Sequence, residues 1–314
     1  MEKPLVSLCI YTYKQENFVR ETLEAAVAQD YPNLEIIVSD DCSPDNTFGV
    51  IQDFANNYKG PHKLIINRNN PNLGIAGNVM KLFSLSHGKY IVNNCGDDLS
   101  IPTRVSQSVE LIQQEKVHSV SFGMTPFQNK VANTGFFEDE RDEKVRYTMD
   151  DYIHNHYKSS GASRIMSRDI VDVFGPLNKD CPTEDSPFTL RAFLLGDVVY
   201  SFRHVVQYRI HGENTSIGSN YLKRINPEPI YRQYVTDIEA ALSKKLISID
   251  IYEMLMKKFH DYLDYEVNRR KIFFRGGFML RIIELIRVLL FESISVKNKK
   301  KLIRSFLSWI KNGI

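Results

Sequence analysis

Cysteine and tryptophan are both scarce in this chain, whose 314 residues hold four of the first and one of the second. Cys9, Cys42, Cys95 and Cys181 are scattered without a C-x-x-C pair, so neither a zinc ribbon nor a disulfide framework is indicated. Cys9 lies in an apolar run and reads as a small core residue, and the set fits a reducing compartment. No uncharged apolar stretch reaches the roughly 18 residues that a membrane span needs. The start, Met1-Glu2-Lys3-Pro4, runs straight into the strand-like Leu5–Ile10, without the charged, apolar and small-residue succession of a signal peptide. A cytoplasmic protein is expected. Internal repeats and low-complexity tracts are also absent. The G-x-G-x-x-G of a dinucleotide-binding dehydrogenase is missing after the first strand, where YTYKQEN stands instead.

What is present is the composition of an ordinary globular protein, 43% hydrophobic and 25% charged. The length suits one large domain, or one domain with an appendage. Charge is unevenly spread. From Arg269 onward twelve Lys and Arg residues face two acids, Glu284 and Glu292, which puts the tail at +10 and, with +2 overall, residues 1–268 at −8. An acidic body and a basic tail have different jobs.

The first half alternates short apolar runs with helical patterns. Leu5–Tyr11, Leu34–Val38, Lys63–Asn67 and Lys89–Asn93 read as strands. Between and after them, Asn17–Gln29, a segment capped by Asp45-Asn46-Thr47, Gly74–Leu85 and Thr103–Gln114 read as helices. Further on, Ser119–Met124 and Val198–Tyr208 suggest strands and Asp185–Leu195 a helix, whereas the charged residues 128–150 read as a loop over the site. From Pro227 the chain is helical, and no proline follows Pro229. Strands joined by helical crossovers argue for a mainly parallel sheet covered on both faces. Ligands then collect at the carboxyl ends of the strands. Tyr11-Thr12-Tyr13, Asp40-Asp41 and Asp97-Asp98 all fall there.

Five segments carry a family likeness: Val6–Thr47 (VSLCIYTYKQENFVRETLEAAVAQDYPNLEIIVSDDCSPDNT), NLGIAGN at 72–78, GDD at 96–98, TEDSPFTLRAF at 183–193 and YRIHGENTS at 208–216. In this order and spacing they resemble the family 2 inverting glycosyltransferases over roughly residues 4–216. The resemblance implies an α/β GT-A nucleotide-diphospho-sugar transferase fold, with a Rossmann-like central sheet and here a C-terminal helical extension. The catalytic domain is expected over residues 1–225, with a donor-binding half to about 115 and an acceptor half after it. Residues 226–314 form the helical region.

The same likeness assigns roles. Asp98 becomes the ligand of Mn²⁺ or Mg²⁺, and Asp97 contacts the ribose or the metal's water shell, since a diphosphate leaving group needs a Lewis acid held by carboxylates. An isolated Asp-Asp pair is more commonly a solvated turn. Asp41 accepts from a uracil N–H, with Tyr11 and Tyr13 near base and ribose; Asp40 reads equally well as an Asx-turn. Asp185 is the base that takes the acceptor hydroxyl's proton, supported by Glu184, although both acids also suit a helix start. His211 is either a third metal ligand or a diphosphate contact, and Arg209 a phosphate partner.

The Q-x-x-R-W motif and membrane helices of the family's processive synthases are missing, so single-sugar addition is expected. A nucleotidyltransferase would want an Arg- and Lys-bearing glycine loop after strand one. A non-catalytic nucleotide-sugar-binding or membrane-scaffold protein on the same fold is the alternative from another class. In the tail, Phe278–Ile294 and Leu302–Ile310 are amphipathic, and the Lys297–Lys301 cluster suits an anionic bilayer. Packing on the protein, or a homo-oligomer interface, is the other use of such helices. No nucleic-acid motif accompanies the basic tail, and the body is acidic, so a nucleic-acid partner is not expected. The acceptor implied by a basic tail on such an enzyme is a lipid-linked saccharide at the inner face of the membrane, in surface-polysaccharide, capsule or O-antigen assembly.

Overall fold

A computed structural model describes residues 3–127, 141–212, 225–274, 276–292 and 294–312. They form two compact units, Met1–Gly212 and Glu213–Ile314. In the first unit the chain runs β1 (Val6–Thr12), α1 (Val19–Val27), β2 (Leu34–Asp40), α2 (Thr47–Asn57), β3 (Lys63–Arg68), α3 (Gly74–Leu85), β4 (Tyr90–Cys95), β5 (Leu99–Ser100) and α4 (Arg104–Glu115). It continues through β6 (Ser119–Phe127), β7 (Lys144–Tyr147), α5 (Met149–His154), β8 (Ile165–Ser167), α6 (Asp169–Asp172), α7 (Asp185–Leu195) and β9 (Val198–Arg209).

One mixed sheet of order β3-β2-β1-β4-β8-β6-β9-β5 results, with β7 added on β9. The first four strands are mutually parallel, and β8 lies antiparallel between β4 and β6. All of β1 but Tyr11 and all of β2 are buried, as expected for strands covered on both faces. Val6, Leu8 and Ile10 turn towards Leu23 of α1, Ile51 of α2 and Val109 of α4 in one apolar cluster, and α3 packs on β1 and β2. Strand order reverses at β1, which has β2 on one side and β4 on the other. That switch point opens a crevice at the strands' carboxyl ends. Register places Tyr11 beside Cys95 and Thr12 beside Asp40, so the loops after β1, β2 and β4 leave the sheet at one level.

Several short elements depart from the sequence reading, β5, α5 and α6 among them. Residues 144–147, expected within a loop, form an edge strand on β9; KVRY alternates charged and apolar residues, but over four positions in a charged stretch that is too short a period to read as a strand. The rest of the expected loop, 128–140, lies outside the described residues. Three-residue β8 was not anticipated either, because a strand that short has too few positions to show a period.

The second unit holds α8 (Pro227–Ser243), α9 (Ile249–Phe273), α10 (Phe278–Phe291) and α11 (Val296–Asn312). Asn226 caps α8 by accepting from Glu228 N at 3.2 Å, and Ser248 caps α9 by accepting from Ile251 N at 3.3 Å. Tyr265, Ile272, Val288, Leu302 and Phe306 form the core shared by the last three helices. Among the described residues no helix is long and apolar enough to cross a membrane.

Phe122 on β6 is fully buried in the apolar cluster of the first unit. Replacing it by alanine leaves a cavity and is expected to lower stability by about 3–5 kcal/mol, read as an earlier urea midpoint.

Candidate active site

The turn after β4 places Asp97 and Asp98 out of water, 7% and 1% exposed. Its geometry needs Gly96, where a Cβ would overlap Gln15 Oε1 and Thr12 Cγ2. Arg209, at the end of β9, holds the turn from above: its backbone N donates to Asp98 Oδ1 at 2.9 Å and its Nε to the Asp97 carbonyl at 2.8 Å. The same guanidinium reaches Glu21 at 2.6 Å and lies over the Phe18 and Phe127 rings. Arg209 is thus engaged in positioning the turn. From below, fully buried Arg104 donates to Ser100 Oγ at 2.9 Å and the Ala162 carbonyl at 2.9 Å, and also to Asn94 Oδ1 and the Asn93 carbonyl. Burial pulls Arg104 down to about 10.

Asp98 Oδ2 is buried with no hydrogen-bond partner among the described residues. Burial first, then the Asp97 charge, pushes the Asp98 carboxyl well above its ordinary range, against the pull of Arg209 N and Arg104. A buried carboxylate oxygen without a partner, beside a second carboxylate, suits a divalent cation. Ligand atoms of Cys95, Asp97 and Asp98 lie within 4.8 Å of one another. The sequence reading gave Cys95 no part here. Its thiol hydrogen-bonds the Tyr11 hydroxyl at 2.9 Å, and burial followed by the Asp98 and Asp97 charges raises it well above a normal thiol. A protonated thiol is a poor ligand for a hard ion, so the two carboxylates fit Mn²⁺ or Mg²⁺ better than a thiolate metal. His211 Nε2 donates to Asp97 Oδ2 at 2.8 Å and its ring stacks on Phe18 at 5.0 Å. Glu213 to Ser216, the rest of its segment, lie outside the described residues.

After β2, the two aspartates separate. Asp40 is fully buried and accepts from Ser43 N at 3.0 Å, with Ser43 Oγ and Arg68 also in reach. It shapes its own turn. Asp41 Oδ1 accepts from Asn69 Nδ2 at 2.9 Å and Leu73 N at 2.8 Å, and Asn72 Nδ2 donates to its carbonyl. Asn78 completes this clamp through Asn69 and the Ser39 carbonyl. The NLGIAGN segment therefore exists locally to hold Asp41, with Gly74 required by a φ of +73°. Tyr13 lies exposed with Lys14 over its ring at 5.3 Å. Tyr11 is turned instead towards Cys95 and Glu184.

Asp185 opens α7, as its sequence position implies. Its Oδ1 accepts from Arg164 Nη2 at 2.6 Å, and its carbonyl from Arg164 Nη1 at 3.1 Å. Arg164 is 1% exposed and is itself fixed by Ser159 and Thr189, while half the Asp185 side chain faces solvent. Gly161 lets the chain pass close by; a Cβ there would stand 2.6 Å from Asp185 Cγ. Neither Arg164 nor Gly161 carries a local sequence signal. Glu184 is buried, and burial reinforced by the Asp185 charge raises it to about 7.

With that geometry in view, comparison with known proteins decides the family. The model of "Glycosyl transferase family 2" matches residues 7–174, more than half the chain. The chain belongs to that family. An uncharacterized glycosyltransferase of Haemophilus influenzae is 25% identical over 249 residues, 74% of each chain. Escherichia coli WfaP, named as a UDP-Glc:α-D-GlcNAc-diphosphoundecaprenol β-1,3-glucosyltransferase, is 32% identical over 113 residues, 36% of this chain. The match spans 43% of WfaP and, for Bacillus subtilis EpsE, 41%. Among solved structures, Staphylococcus aureus TarS 1–349 with UDP aligns at a TM-score of 0.58 and 16% identity, covering 95% of this chain and 78% of that one. The mannosyltransferase PcManGT of Pyrobaculum calidifontis, with GDP-Man and Mn²⁺, gives 0.58 and 15% over 99% and 81%. These last two are likenesses of fold.

Glu184 offers a pH test. The folded state keeps its proton up to about pH 7, whereas an unfolded glutamate releases it near 4.5, so stability is lost as pH rises through that window. Glu184→Gln is expected to raise the melting temperature above about pH 8 and to leave it little changed below about pH 4.5, by calorimetry.

Proposed function

We propose that the chain is an inverting, non-processive glycosyltransferase that moves one sugar from a nucleoside diphosphate, UDP in the first instance, to an acceptor hydroxyl. The observation that carries this is the convergence, at the switch point of a family 2 domain, of a buried carboxylate pair after β4 and a solvent-facing carboxylate on α7. Residues up to about 115 serve the donor and residues 116–225 the acceptor.

On this reading Asp41 Oδ2, which has no hydrogen bond among the described residues, accepts from a nucleobase N–H. Its partner oxygen is fixed by Asn69 and Leu73, so the carboxylate is aimed before the donor arrives. Asp98 Oδ2 and Asp97 hold a divalent cation, with His211 fixing Asp97; when bound, that ion supplies charge neutralisation for the leaving diphosphate. Arg209 keeps the turn in place and reaches the diphosphate only through that turn. Asp185 takes the acceptor's proton on Oδ2, because Arg164 occupies Oδ1 and sets the direction of the free oxygen. Glu184, neutral and buried, holds the start of α7 against Tyr11. An acceptor carried on a lipid diphosphate is supported by the name of WfaP, and a UDP donor by the names of WfaP and of the TarS complex.

Calorimetric titration of UDP-, GDP- and dTDP-sugars with Mn²⁺ tests the assignment. Asp98→Ala is expected to weaken metal-dependent donor binding at least about tenfold. Asp185→Asn should leave donor affinity nearly intact and lower kcat by roughly 10²–10⁴. If a nucleotide sugar is bound but none is turned over, the protein is the non-catalytic binding alternative, and if none is bound the transferase reading fails; if the two variants exchange behaviour, the roles are reversed.

A further inference from the structure

In the second unit, α10 buries only one side. Val288 and Glu284 are buried and Ile282 and Leu285 half-buried against the shared core. The opposite side is also apolar: Met279, Ile283, Ile286 and Leu290 follow one another at helical spacing, flanked by Leu280 and Phe291. Leu290 is 68% exposed and Phe291 79%. Although Arg281, Glu284 and Arg287 interrupt the rest of the helix, a contiguous exposed apolar stripe of this length marks a surface that something occupies.

α11 shows what that occupant is. Leu302, Phe306 and half-buried Trp309 point into the core, where Trp309 stacks on Phe278 and lies 4.5 Å from the Arg281 guanidinium. Trp309, of a residue type common at lipid interfaces, is therefore used internally. The outward side of α11 divides lengthwise. Lys299 Nζ donates to the Leu289 carbonyl at 2.8 Å, which identifies the flank next to α10. At about 100° per residue, Val296, Ile303, Leu307 and Ile310 share that flank and extend the apolar stripe of α10. Lys297, Lys301 and Arg304 lie on the other flank, with exposed Lys300 at its border, and Lys301 Nζ stands 3.8 Å over the Tyr265 ring of α9.

Both acids of residues 269–314 are already paired, Glu284 with Arg287 at 3.0 Å and Glu292 with Lys271 at 3.2 Å. The remaining cations are crowded: burial, followed by the charges of Lys297 and Lys301, depresses Lys258 to about 8. A second copy docking on this face would bring two such lysine strips together. A surface of lipid phosphates would neutralise them.

We propose that α10 and the adjoining apolar flank of α11 lie in the plane of an anionic phospholipid surface, with the basic flank of α11 on the headgroup phosphates. At 14 and 17 residues neither helix is long enough to span. Each suits in-plane burial. The surface would bring a lipid-borne acceptor to the enzyme; that consequence rests on the transferase reading, and the membrane contact does not.

The test is sedimentation of the full chain with vesicles of phosphatidylcholine alone or mixed with phosphatidylglycerol, at low and high salt. Binding is expected only to the mixed vesicles and is expected to fall at high salt. Ile283→Glu with Leu290→Glu, and separately Lys297→Gln with Lys300→Gln and Arg304→Gln, should each weaken it at least about tenfold. All five side chains are exposed, so melting by circular dichroism should be unchanged, and donor binding without vesicles should match the parent chain. Equal binding to both vesicle types, or to neither, overturns the proposal. So does a dimer in analytical ultracentrifugation that Ile283→Glu with Leu290→Glu dissociates while no vesicle is bound. A chain that binds vesicles but no nucleotide sugar would sink the transferase reading and leave this one standing.

Discussion

Two adjacent carboxylates held out of water repel each other and lose their hydration, and the first unit is organised around that cost. The Asp97–Asp98 turn survives because two buried arginines surround it without neutralising it fully. Arg209 supplies a backbone N–H and a guanidinium N–H, while Arg104 ties the strand beneath. One oxygen, Asp98 Oδ2, has no partner among the described residues. Burying such an oxygen is costly, and a divalent cation coordinated there would offset that cost.

The Glu184–Asp185 pair shows the same physics applied to separate two neighbours. They are consecutive acids, yet one is buried and raised to about 7, and the other faces solvent against Arg164. A single step of the backbone at the start of α7 is enough to give two neighbouring acids these different surroundings. Tyr11 links the two regions, since its hydroxyl meets the Cys95 thiol after β4 and the Glu184 carboxyl.

Much of this was legible along the chain. β1, β2 and β4 announce themselves as unbroken apolar runs, and the polar residues following them mark the crevice. Asp41, Asp98 and Asp185 were singled out by the likeness of their segments to the family's motifs, each beside the boundary of an element. Their partners could not be assigned in this way. Arg209 meets Asp98 across 111 positions, and Arg164 meets Asp185 from a loop before a three-residue strand. Such contacts are products of topology, which no window of sequence contains. Cys95 was likewise read as unremarkable, because only the pairing of β4 with β1 brings its thiol to Tyr11. In the tail, amphipathic patterning was clear, but which side met the core was not: Trp309 turned inward and Leu290 outward.

Arg164 occupies a peculiar place in this arrangement. Its carbonyl accepts from Asn93 N at 3.2 Å on β4, four residues before Asp97, and its guanidinium grips Asp185. One residue is therefore a rung beside the sheet at one end and a bracket for Asp185 at the other. The strand that leads to Asp97 and the helix that Asp185 opens are tied together by the length of a single arginine, so a shorter side chain at 164 would cut that strut while leaving the backbone rung in place.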